Sequence, residues 1–206
     1  MARGRKKQEN PETAARILAT AESYFAAHGL AGARTDGIAA AARVNKAMLF
    51  YYFKSKRHLH RAVLENLFRQ FRANVYSLRE RAKSPREQLL ALAGGYFDFL
   101  AAHPNYPRLV QREAMEAGAN FKWIVGEYLQ PFHTALIETI RGGIAAGEIR
   151  KVDPENTAFS ILGMTTSYFA AAPILSRMAG RDLLASAAVA ARRKALLDFL
   201  EHGLMP

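Results

Sequence analysis

Apolar residues recur at spacings of three and four along most of the chain, which is the periodicity of an amphipathic α-helix. The first run extends from about residue 11 to 28, and Gly29 is placed to end it. A longer run begins near Ser55 and carries apolar side chains on one face as far as Leu78. No segment shows sustained alternation with a period of two, and alanine and leucine dominate where valine and isoleucine would mark strands. The pattern predicts an all-α protein.

Prolines and glycines divide the rest of the chain into further helices. Ser84-Pro85 and Asp153-Pro154 have the residues of a helix start, a capping side chain followed by proline at the first helical position. Pro131 interrupts the run from about 120 to 146 and predicts a kink or a break there. Other helices are expected from Tyr106-Pro107 to about Ala117 and from about Leu183 to His202. The pattern favours about nine helices in all.

The segment 35–56 predicts two short helices joined by a tight turn. Thr35 is placed to cap the first helix, because its hydroxyl can accept a hydrogen bond from a free backbone N–H of the first turn. Arg43-Val44 breaks the apolar pattern, and Asn45 is placed to cap a second helix that runs to about Tyr52.

One face of this second helix is predicted to be buried and the other to be exposed. Leu49 and Phe53 lie four residues apart and are expected to pack against Ile38. The outer surface is then aromatic, apolar and basic: Lys46, Ala47, Met48, Tyr51 and Tyr52. Such a surface on so short a helix predicts a partner, and DNA is the expected one. Alternatively, the two tyrosines are packing residues whose hydroxyls merely reach solvent.

The distribution of charge favours the same partner. The chain has a net charge of +11, and residues 1–61 hold 12 of the 29 Lys and Arg against 4 of the 18 Asp and Glu. This asymmetry indicates a polyanion at the N-terminal end. The alternative is that the basic surface only keeps the protein soluble.

Several classes of protein are disfavoured by composition. The chain has no cysteine, which removes disulfides, thiolate catalysis and cysteine-ligated zinc. The N-terminus is basic, but no apolar stretch follows it, so no signal peptide is predicted and a cytoplasmic location is expected. The segment 156–176 carries no charge, but threonines and serines interrupt it. We predict no membrane span there, but a soluble helix buried on nearly all sides.

No group of residues suggests catalysis. His58 and His60 are two residues apart and do not share a helix face as an i, i+4 metal pair would. No phosphate-binding glycine motif appears, and no pair of nucleophile and base can be named. The sequence therefore predicts a protein that is not an enzyme and that has no metal and no cofactor.

The segment T-D-G-I-A-A-A-A-R-V-N-K-A-M-L-F-Y-Y-F-K-S-K-R-H-L resembles the helix-turn-helix signature of the TetR/AcrR-type bacterial transcriptional regulators. The stretches G-I-A-A-G-E-I-R-K-V-D-P, P-N-Y-P-R-L-V-Q-R-E and F-L-E-H-G-L are similar to connections common in that family, so the resemblance covers the full length. It implies an all-α homodimer with two domains. Residues 1–54 would form a three-helix helix-turn-helix DNA-binding domain with a basic N-terminal arm. Residues 55–206 would form a larger domain for ligand sensing and dimerisation.

The resemblance also implies roles for individual residues at the DNA. Phosphate contacts are expected from Thr35, Tyr52 and Lys56. The residues expected to face the major groove are Asn45, Lys46, Ala47, Met48 and Tyr51. Two positions depart from the family pattern. Arg43 replaces the usual turn glycine and can add a phosphate contact, and Phe50 stands where a phosphate-binding tyrosine is usual. The arm Arg3–Lys7 is expected either to reach a minor groove or to be a solvated tail.

The ligand site is less well determined by the sequence. The candidate walls are apolar with a few polar tips, which suits a hydrophobic or aromatic small molecule: Tyr96, Phe97, Leu100, Phe121, Trp123, Tyr128, His133, Met164 and Tyr168. Taken alone, each of these residues is more often an ordinary core residue than a ligand contact. Dimerisation is expected to use the last two long helices, around Phe159, Leu162, Gly163, Thr166 and Ala170 with Leu196, Phe199 and Leu200.

Together these inferences predict a repressor that a small ligand releases from a palindromic operator. The alternative is an architectural DNA-binding protein without a ligand, which would bind many sequences alike.

Overall fold

The computed structural model describes residues 10–206, and all regular secondary structure in that range is helical. The prediction of an all-α fold is confirmed. The predicted run over 120–146 divides into two helices with a π-helical segment, Val125–Leu129, between them, and the run from Pro154 divides at Ala171. In chain order the α-helices are α1 (Pro11–Gly32), α2 (Thr35–Ala41), α3 (Lys46–Phe53), α4 (Lys56–Arg81), α5 (Pro85–Ala102), α6 (Tyr106–Glu116), α7 (Ala119–Ile124), α8 (Gln130–Ala145), α9 (Pro154–Ala170), α10 (Ala172–Ala179) and α11 (Ser186–Leu204).

The chain forms two compact units that divide between Asn66 and Leu67, so α4 begins in the first unit and continues into the second. The predicted domain boundary between residues 54 and 55 falls before α4.

The first unit is built on a small core to which each of its helices contributes. The fully buried side chains include Phe25 from α1, Ile38 from α2, Leu49 from α3 and Leu59 from α4. Gly29 has a φ of 68°, a conformation that suits glycine, and it kinks α1 three residues before the helix ends. Ile38 and Leu49 are buried as the apolar periodicity predicted, whereas Gly29, predicted to end the first helix, instead kinks a helix that continues to Gly32.

The second unit has α5 at its centre, where α8, α9 and α11 all pack against it. Its core is formed by large side chains that the helical periodicity brings to one side of each helix. They include Leu92, Phe97, Leu100, Leu136, Ile140, Ile161 and Leu196, each at most 1% exposed.

Helix α9 differs from its prediction. Only one side of it is buried, by residues such as Ile161 and Thr165, while Phe159, Gly163 and Ser167 are exposed. The prediction that this helix is buried on nearly all sides is wrong for the single chain, because no helix of residues 10–206 covers that exposed face. No single helix in the described part of the chain is long and apolar enough to cross a membrane. Within that part, only α9 and α10 taken together have the length and apolar composition of a membrane span, and they are bent by 71° relative to each other.

Candidate DNA-binding surface and ligand cavity

The turn between α2 and α3 is closed by backbone hydrogen bonds at the end of α2. The N–H of Val44 donates to the carbonyl of Ala39 at 3.0 Å, and the N–H of Arg43 donates to Ala40 at 3.0 Å. This pair of bonds is a Schellman motif, which requires a left-handed residue after the helix. Arg43 is that residue, with a φ of 53°. The turn therefore accepts an arginine where glycine would be unstrained, and the side chain is exposed.

Helix α1 supports this turn from outside the motif. The Nε of Arg16 donates to the carbonyl of Ala42 at 2.8 Å, which satisfies one of the carbonyls left open at the end of α2. Arg16 is a residue that the sequence analysis missed. The bond joins positions 26 residues apart, and no local pattern indicates such a pair.

Helix α3 begins as predicted. The side chain of Asn45 accepts a hydrogen bond from the backbone N–H of Met48 at 2.7 Å, so Asn45 is the N-cap. Leu49 is fully buried beneath the helix, whereas Phe53 is only half-buried.

The outer side of α3 is largely exposed. Lys46, Ala47 and Tyr51 lie there, and Tyr51 is 51% exposed and meets the ring of Tyr52 edge-on at 5.4 Å. Met48 is half-buried. The structure thus presents on one short helix most of the side chains predicted to face DNA.

Two of these side chains already have partners within the chain. The Nζ of Lys46 lies 2.9 Å from Asp36 on α2 in an exposed ion pair. The hydroxyl of Tyr52 accepts a hydrogen bond from the backbone N–H of Asn10 at 2.9 Å. Tyr52 therefore ties α3 to the start of α1, and its hydroxyl is not presented simply to solvent.

Thr35 is not the N-cap of α2. The residue with extended backbone is Arg34, and the helix begins at Thr35 itself, so the predicted cap is one residue too late. Arg34 makes no side-chain capping bond. Thr35 consequently lies in the first helical turn, half-buried.

Lys56 also has a role that its predicted phosphate contact did not include. Its Nζ donates to the carbonyls of Ala31 at 3.0 Å and Ala33 at 3.2 Å. A cation at these carbonyls satisfies acceptors at the end of α1 and opposes the negative end of the helix.

A depression on the surface of the first unit brings several predicted DNA contacts together. Thr35, Phe50 and Lys56 line it, together with Arg34, Lys54 and Asp36, which sequence reasoning did not name. The carboxylate of Asp36 is paired with Lys46, and the three cations Arg34, Lys54 and Lys56 outnumber it, so the surface suits an anion. The predicted arm Arg3–Lys7 lies outside the described residues.

The second unit contains a cavity of about 530 Å³. Its walls come from α4, α5, α6, α8, α9 and the π-helical segment, and they are mostly apolar: Phe71, Tyr96, Tyr106, Pro107, Val110, Gln111, Leu129, Phe132, Leu162, Gly163, Thr166, Ser167 and Ala170. The volume lies in the range of small-molecule sites.

The polar residues of the cavity lining are Tyr96, Tyr106, Gln111, Thr166 and Ser167. The hydroxyls of Tyr96 and Thr166 are hydrogen-bonded at 2.7 Å. Burial raises the pKa of Tyr96 to about 12. Burial, together with the neighbouring Tyr96, also holds the pKa of Tyr106 well above its usual value. Both phenols are therefore neutral at physiological pH.

Of the nine residues predicted to line a ligand site, Tyr96 lines this cavity. Phe97 and Leu100 are fully buried in the core, and Phe121, Trp123, Tyr128 and Met164 are half-buried outside the cavity lining. His133 stacks on Phe159 with ring centres 4.5 Å apart. The hydroxyl of Tyr168 donates to the carbonyl of Leu183 at 2.6 Å. The cavity instead uses Phe71, Tyr106 and Phe132, which sequence reasoning did not propose.

The predicted dimer helices carry exposed apolar side chains. Phe159 on α9 is 55% exposed and Phe199 on α11 is 62% exposed. Leu196 and Leu200 are buried within their own chain, so the prediction that they contact a partner is wrong. The α9 residues Leu162, Gly163, Thr166 and Ala170 line the cavity.

Comparison with known proteins agrees with both halves of this architecture. The family model described as bacterial regulatory proteins, tetR family, matches residues 17–63. The model described as tetracyclin repressor-like, C-terminal domain, matches residues 85–200. The HTH-type transcriptional repressor SCO4008 of Streptomyces coelicolor is 31% identical over 170 residues, 82% of this chain and 84% of the relative.

Solved structures share the fold over most of the chain. The ketosteroid transcriptional regulator KstR2 of Mycobacterium tuberculosis has a TM-score of 0.80 at 18% identity, covering 98% of this chain and 100% of that one. AibR in complex with isovaleryl coenzyme A and operator DNA has a TM-score of 0.67 at 26% identity, covering 77% of this chain and 86% of that one. With a helix-turn-helix unit, a second helical unit and these matches, the chain belongs to the TetR family of bacterial transcriptional regulators and is a DNA-binding regulator, not an enzyme.

Proposed function

We propose that this regulator is a homodimeric repressor that binds a palindromic operator through α3 and is released by a small apolar ligand. The observation that carries the proposal is that one chain of this family combines an exposed, basic and aromatic α3 with a ligand-sized apolar cavity. Its place of action is then the cytoplasm, where bacterial DNA lies.

Base recognition is assigned to the exposed side of α3. Lys46 at the start of the helix can donate to the O6 or N7 of guanine, and Ala47 and Met48 can contact a thymine methyl group. Tyr51 is exposed enough to reach either a base or a phosphate. Asn45 uses its side-chain oxygen as the cap of α3, which leaves its amide N–H groups to donate to the major groove.

Phosphate binding is assigned to the depression beside Thr35. Arg34, Lys54 and Lys56 place three cations around it, and contacts of this kind fix the register of the protein without reading sequence. The ammonium of Lys56 has three N–H donors, and the carbonyls of Ala31 and Ala33 use two of them. The third can donate to a phosphate. Arg43 adds an exposed cation at the turn, and Tyr52 stabilises the start of α1.

A second copy of the chain is proposed to cover the exposed apolar residues of α9 and α11. Phe159 and Phe199 are large side chains more than half exposed on the two helices, and such residues favour a protein interface over contact with water. A two-fold axis through this interface would match the symmetry of a palindromic operator.

Ligand binding is proposed to act through α4. Phe71 on α4 lines the cavity, and the same helix begins at Lys56, directly after α3 along the chain. A ligand that binds more tightly to one position of α4 shifts the protein toward the conformation with that position, and so changes its affinity for DNA. Operator DNA must then weaken ligand binding by the same factor as ligand weakens DNA binding.

Selection from a random pool of double-stranded DNA, with the full-length protein at physiological salt, tests the proposal. Enrichment of one palindrome is the expected result. Retention of DNA without an enriched sequence would favour the alternative of an architectural DNA-binding protein.

A further inference from the structure

The ligand-sized cavity of the second unit is bounded on one side by α9. This helix supplies five of the thirteen lining residues: Leu162, Gly163, Thr166, Ser167 and Ala170. Three of the five, Gly163, Ser167 and Ala170, are exposed. From α6, which packs against α9, Gln111 also lines the cavity and is exposed. Because lining residues on both helices reach solvent, the cavity has a mouth between α6 and α9.

The mouth lies along the side of α9 that the chain leaves uncovered. Phe159, Gly163 and Ser167 follow each other at intervals of four residues and therefore share this side. Phe159 does not line the cavity and is 55% exposed, so the side that it marks faces solvent. Ile161 and Thr165, on the opposite side, are buried within the chain. A surface laid on the exposed side of α9 would therefore cover Phe159 and the mouth together.

The charge pattern of α9 favours a second copy of the chain as that surface. No charged residue occurs between positions 156 and 176, although the chain as a whole has a net charge of +11. In an interface with two-fold symmetry, residues near the axis meet their own counterparts, so any charge there meets its like. A helix without charge avoids that repulsion and offers no ion pair to a charged partner. Phe199 adds an exposed apolar side chain on α11, which packs on α5 as α9 does.

We propose that the second copy closes the mouth of the cavity, so that the complete ligand site exists only in the dimer. The inference rests on the homodimer of the proposed function and adds that its interface forms one wall of the site. Residues of α9 then have two roles, since positions predicted from the sequence to lie at the dimer interface also line the cavity. A ligand enclosed by both copies stabilises the dimer, and the dimer in turn binds the ligand more tightly.

A variant that separates the two copies without altering the cavity lining gives the first test. Phe199 is 62% exposed and does not line the cavity, so Phe199→Glu puts a carboxylate on each side of the proposed interface and leaves the lining intact. Naphthalene, a small uncharged hydrocarbon, is the probe, and equilibrium dialysis of the full-length protein measures its affinity. We expect Phe199→Glu to sediment as a monomer and to bind naphthalene at least about tenfold more weakly than the wild type.

Met115→Glu is the matched control for this variant. Met115 is 82% exposed on α6 and lies outside the cavity lining and outside the helices of the proposed interface. The substitution adds the same charge at another exposed apolar side chain of the same unit. This variant should remain a dimer and should bind naphthalene as the wild type does.

The wild type supplies a second measurement, which needs no substitution at the interface. Sedimentation equilibrium gives the dissociation constant of the dimer with and without saturating naphthalene. The probe is expected to lower that constant about a hundredfold, because a tenfold coupling acts at each of two sites. Val110 lines the cavity, so Val110→Trp fills part of it and should reduce the effect of the probe to within about twofold.

Four results would overturn the inference: equal affinity of a folded Phe199→Glu monomer and the wild type, a Phe199→Glu variant that stays dimeric, a dimer whose stability the probe does not change, or no binding of the probe. The DNA selection described above separates this inference from the proposed function. An enriched palindrome, together with a monomer that binds naphthalene as the wild type does, would leave the homodimeric repressor standing with a site complete in each chain. A monomeric wild type would remove the dimer from both.

Discussion

Arg43 holds a left-handed backbone conformation in which the Cβ atom is unfavourable, because the Schellman motif that ends α2 requires it. The residue is exposed, and its side chain is therefore free to interact with DNA. The chain retains a strained turn at the position where the family pattern has glycine. A strained backbone that carries an exposed arginine is expected where the side chain has a function, such as binding DNA.

Glycine at position 43 should give a more stable protein than alanine there. Arg43→Gly relieves the left-handed strain, and Arg43→Ala removes the charge but keeps the Cβ. We expect the glycine variant to unfold with a free energy about 1 kcal/mol higher than the alanine variant, measured by urea denaturation. Equal stability of the two variants would show that the turn relaxes without strain. Both should weaken DNA binding equally if the guanidinium contacts a phosphate.

His60 should make the stability of the protein depend on pH. It lies edge-on to Phe25 at 4.6 Å, and burial lowers its pKa from 6.5 to about 4. The unfolded chain therefore binds a proton at a higher pH than the folded chain. The resulting stability is complete above about pH 6.5 and is lost as the pH falls toward 4.

We expect the wild type to lose about 2 kcal/mol more of its free energy of unfolding between pH 7 and 5 than a His60→Gln variant does. His58→Gln is the control, because it replaces an exposed histidine of the same helix and leaves the buried ring of His60 in place. Parallel pH profiles for the wild type and His60→Gln would contradict this assignment.

The sequence predicted side-chain bonds to the ends of helices only where the side chain and its backbone partner are close in the sequence. Asn45 bonds to a backbone N–H three residues away, and its role followed from the pattern. Arg16 donates to a carbonyl 26 residues away, and Lys56 donates to one 25 residues away. Only the folded chain brings these partners within reach. Thr35 was assigned one residue late because Arg34 is a poor capping residue that nevertheless holds the extended conformation.

At the scale of the helix, two adjacent glycines of α8 occupy opposite environments. A Cβ on Gly143 would overlap the Cδ1 and Cγ1 atoms of Ile149, whereas a Cβ on Gly142 would meet no atom within 4 Å. Gly143 therefore lets Ile149, which is buried, lie directly against the helix.

Alanine should have opposite effects at these two positions. Gly142→Ala is expected to raise the free energy of unfolding by about 1 kcal/mol, through helix propensity alone. Gly143→Ala gains the same propensity but must displace Ile149, so a net loss of about 1–2 kcal/mol is expected. Urea denaturation of the two variants checks the contrast, and a stabilised Gly143→Ala would show that Ile149 moves aside freely.

The sequence predicted the helices better than the breaks between them. Pro131 indicated an interruption, and the structure places it in the first turn of α8, directly after the π-helical segment. A proline lacks the N–H that an interior helical residue donates, so it favours a helix start at that position. The pattern could not indicate that the preceding turn widens into a π-helix, because that depends on the packing around it.

At the scale of the whole molecule, the family resemblance implied the two-part architecture, but no feature of the sequence predicted the cavity. Phe97 and Leu100 are apolar residues of the kind that line ligand pockets, yet both are fully buried in the core. The cavity walls come from five α-helices and the π-helical segment, and their spacing is a property of tertiary packing. The residues predicted to contact DNA lie within one contiguous segment, and their assignment stays a prediction.

Two basic residues of the first unit should affect operator binding in different ways. Lys46→Ala is expected to change base preference and to reduce discrimination by about 1–3 kcal/mol, because Lys46 lies on the exposed side of α3. Arg34→Ala should weaken binding to all sequences alike and lower the salt slope by about one, because Arg34 lies at the proposed phosphate depression. Fluorescence anisotropy titrations over a range of salt distinguish the two, and identical effects on every duplex would contradict the division of roles.

The central claim is that this chain reads a specific DNA sequence as a dimer. Its most direct test is the ratio of affinities, at physiological salt, for the palindrome that selection enriches and for a scrambled duplex of the same composition. We predict a ratio of about 10³ or more, with two protomers bound to each palindrome. Equal affinity for the two duplexes would contradict the account and would leave the chain a DNA-binding protein without an operator.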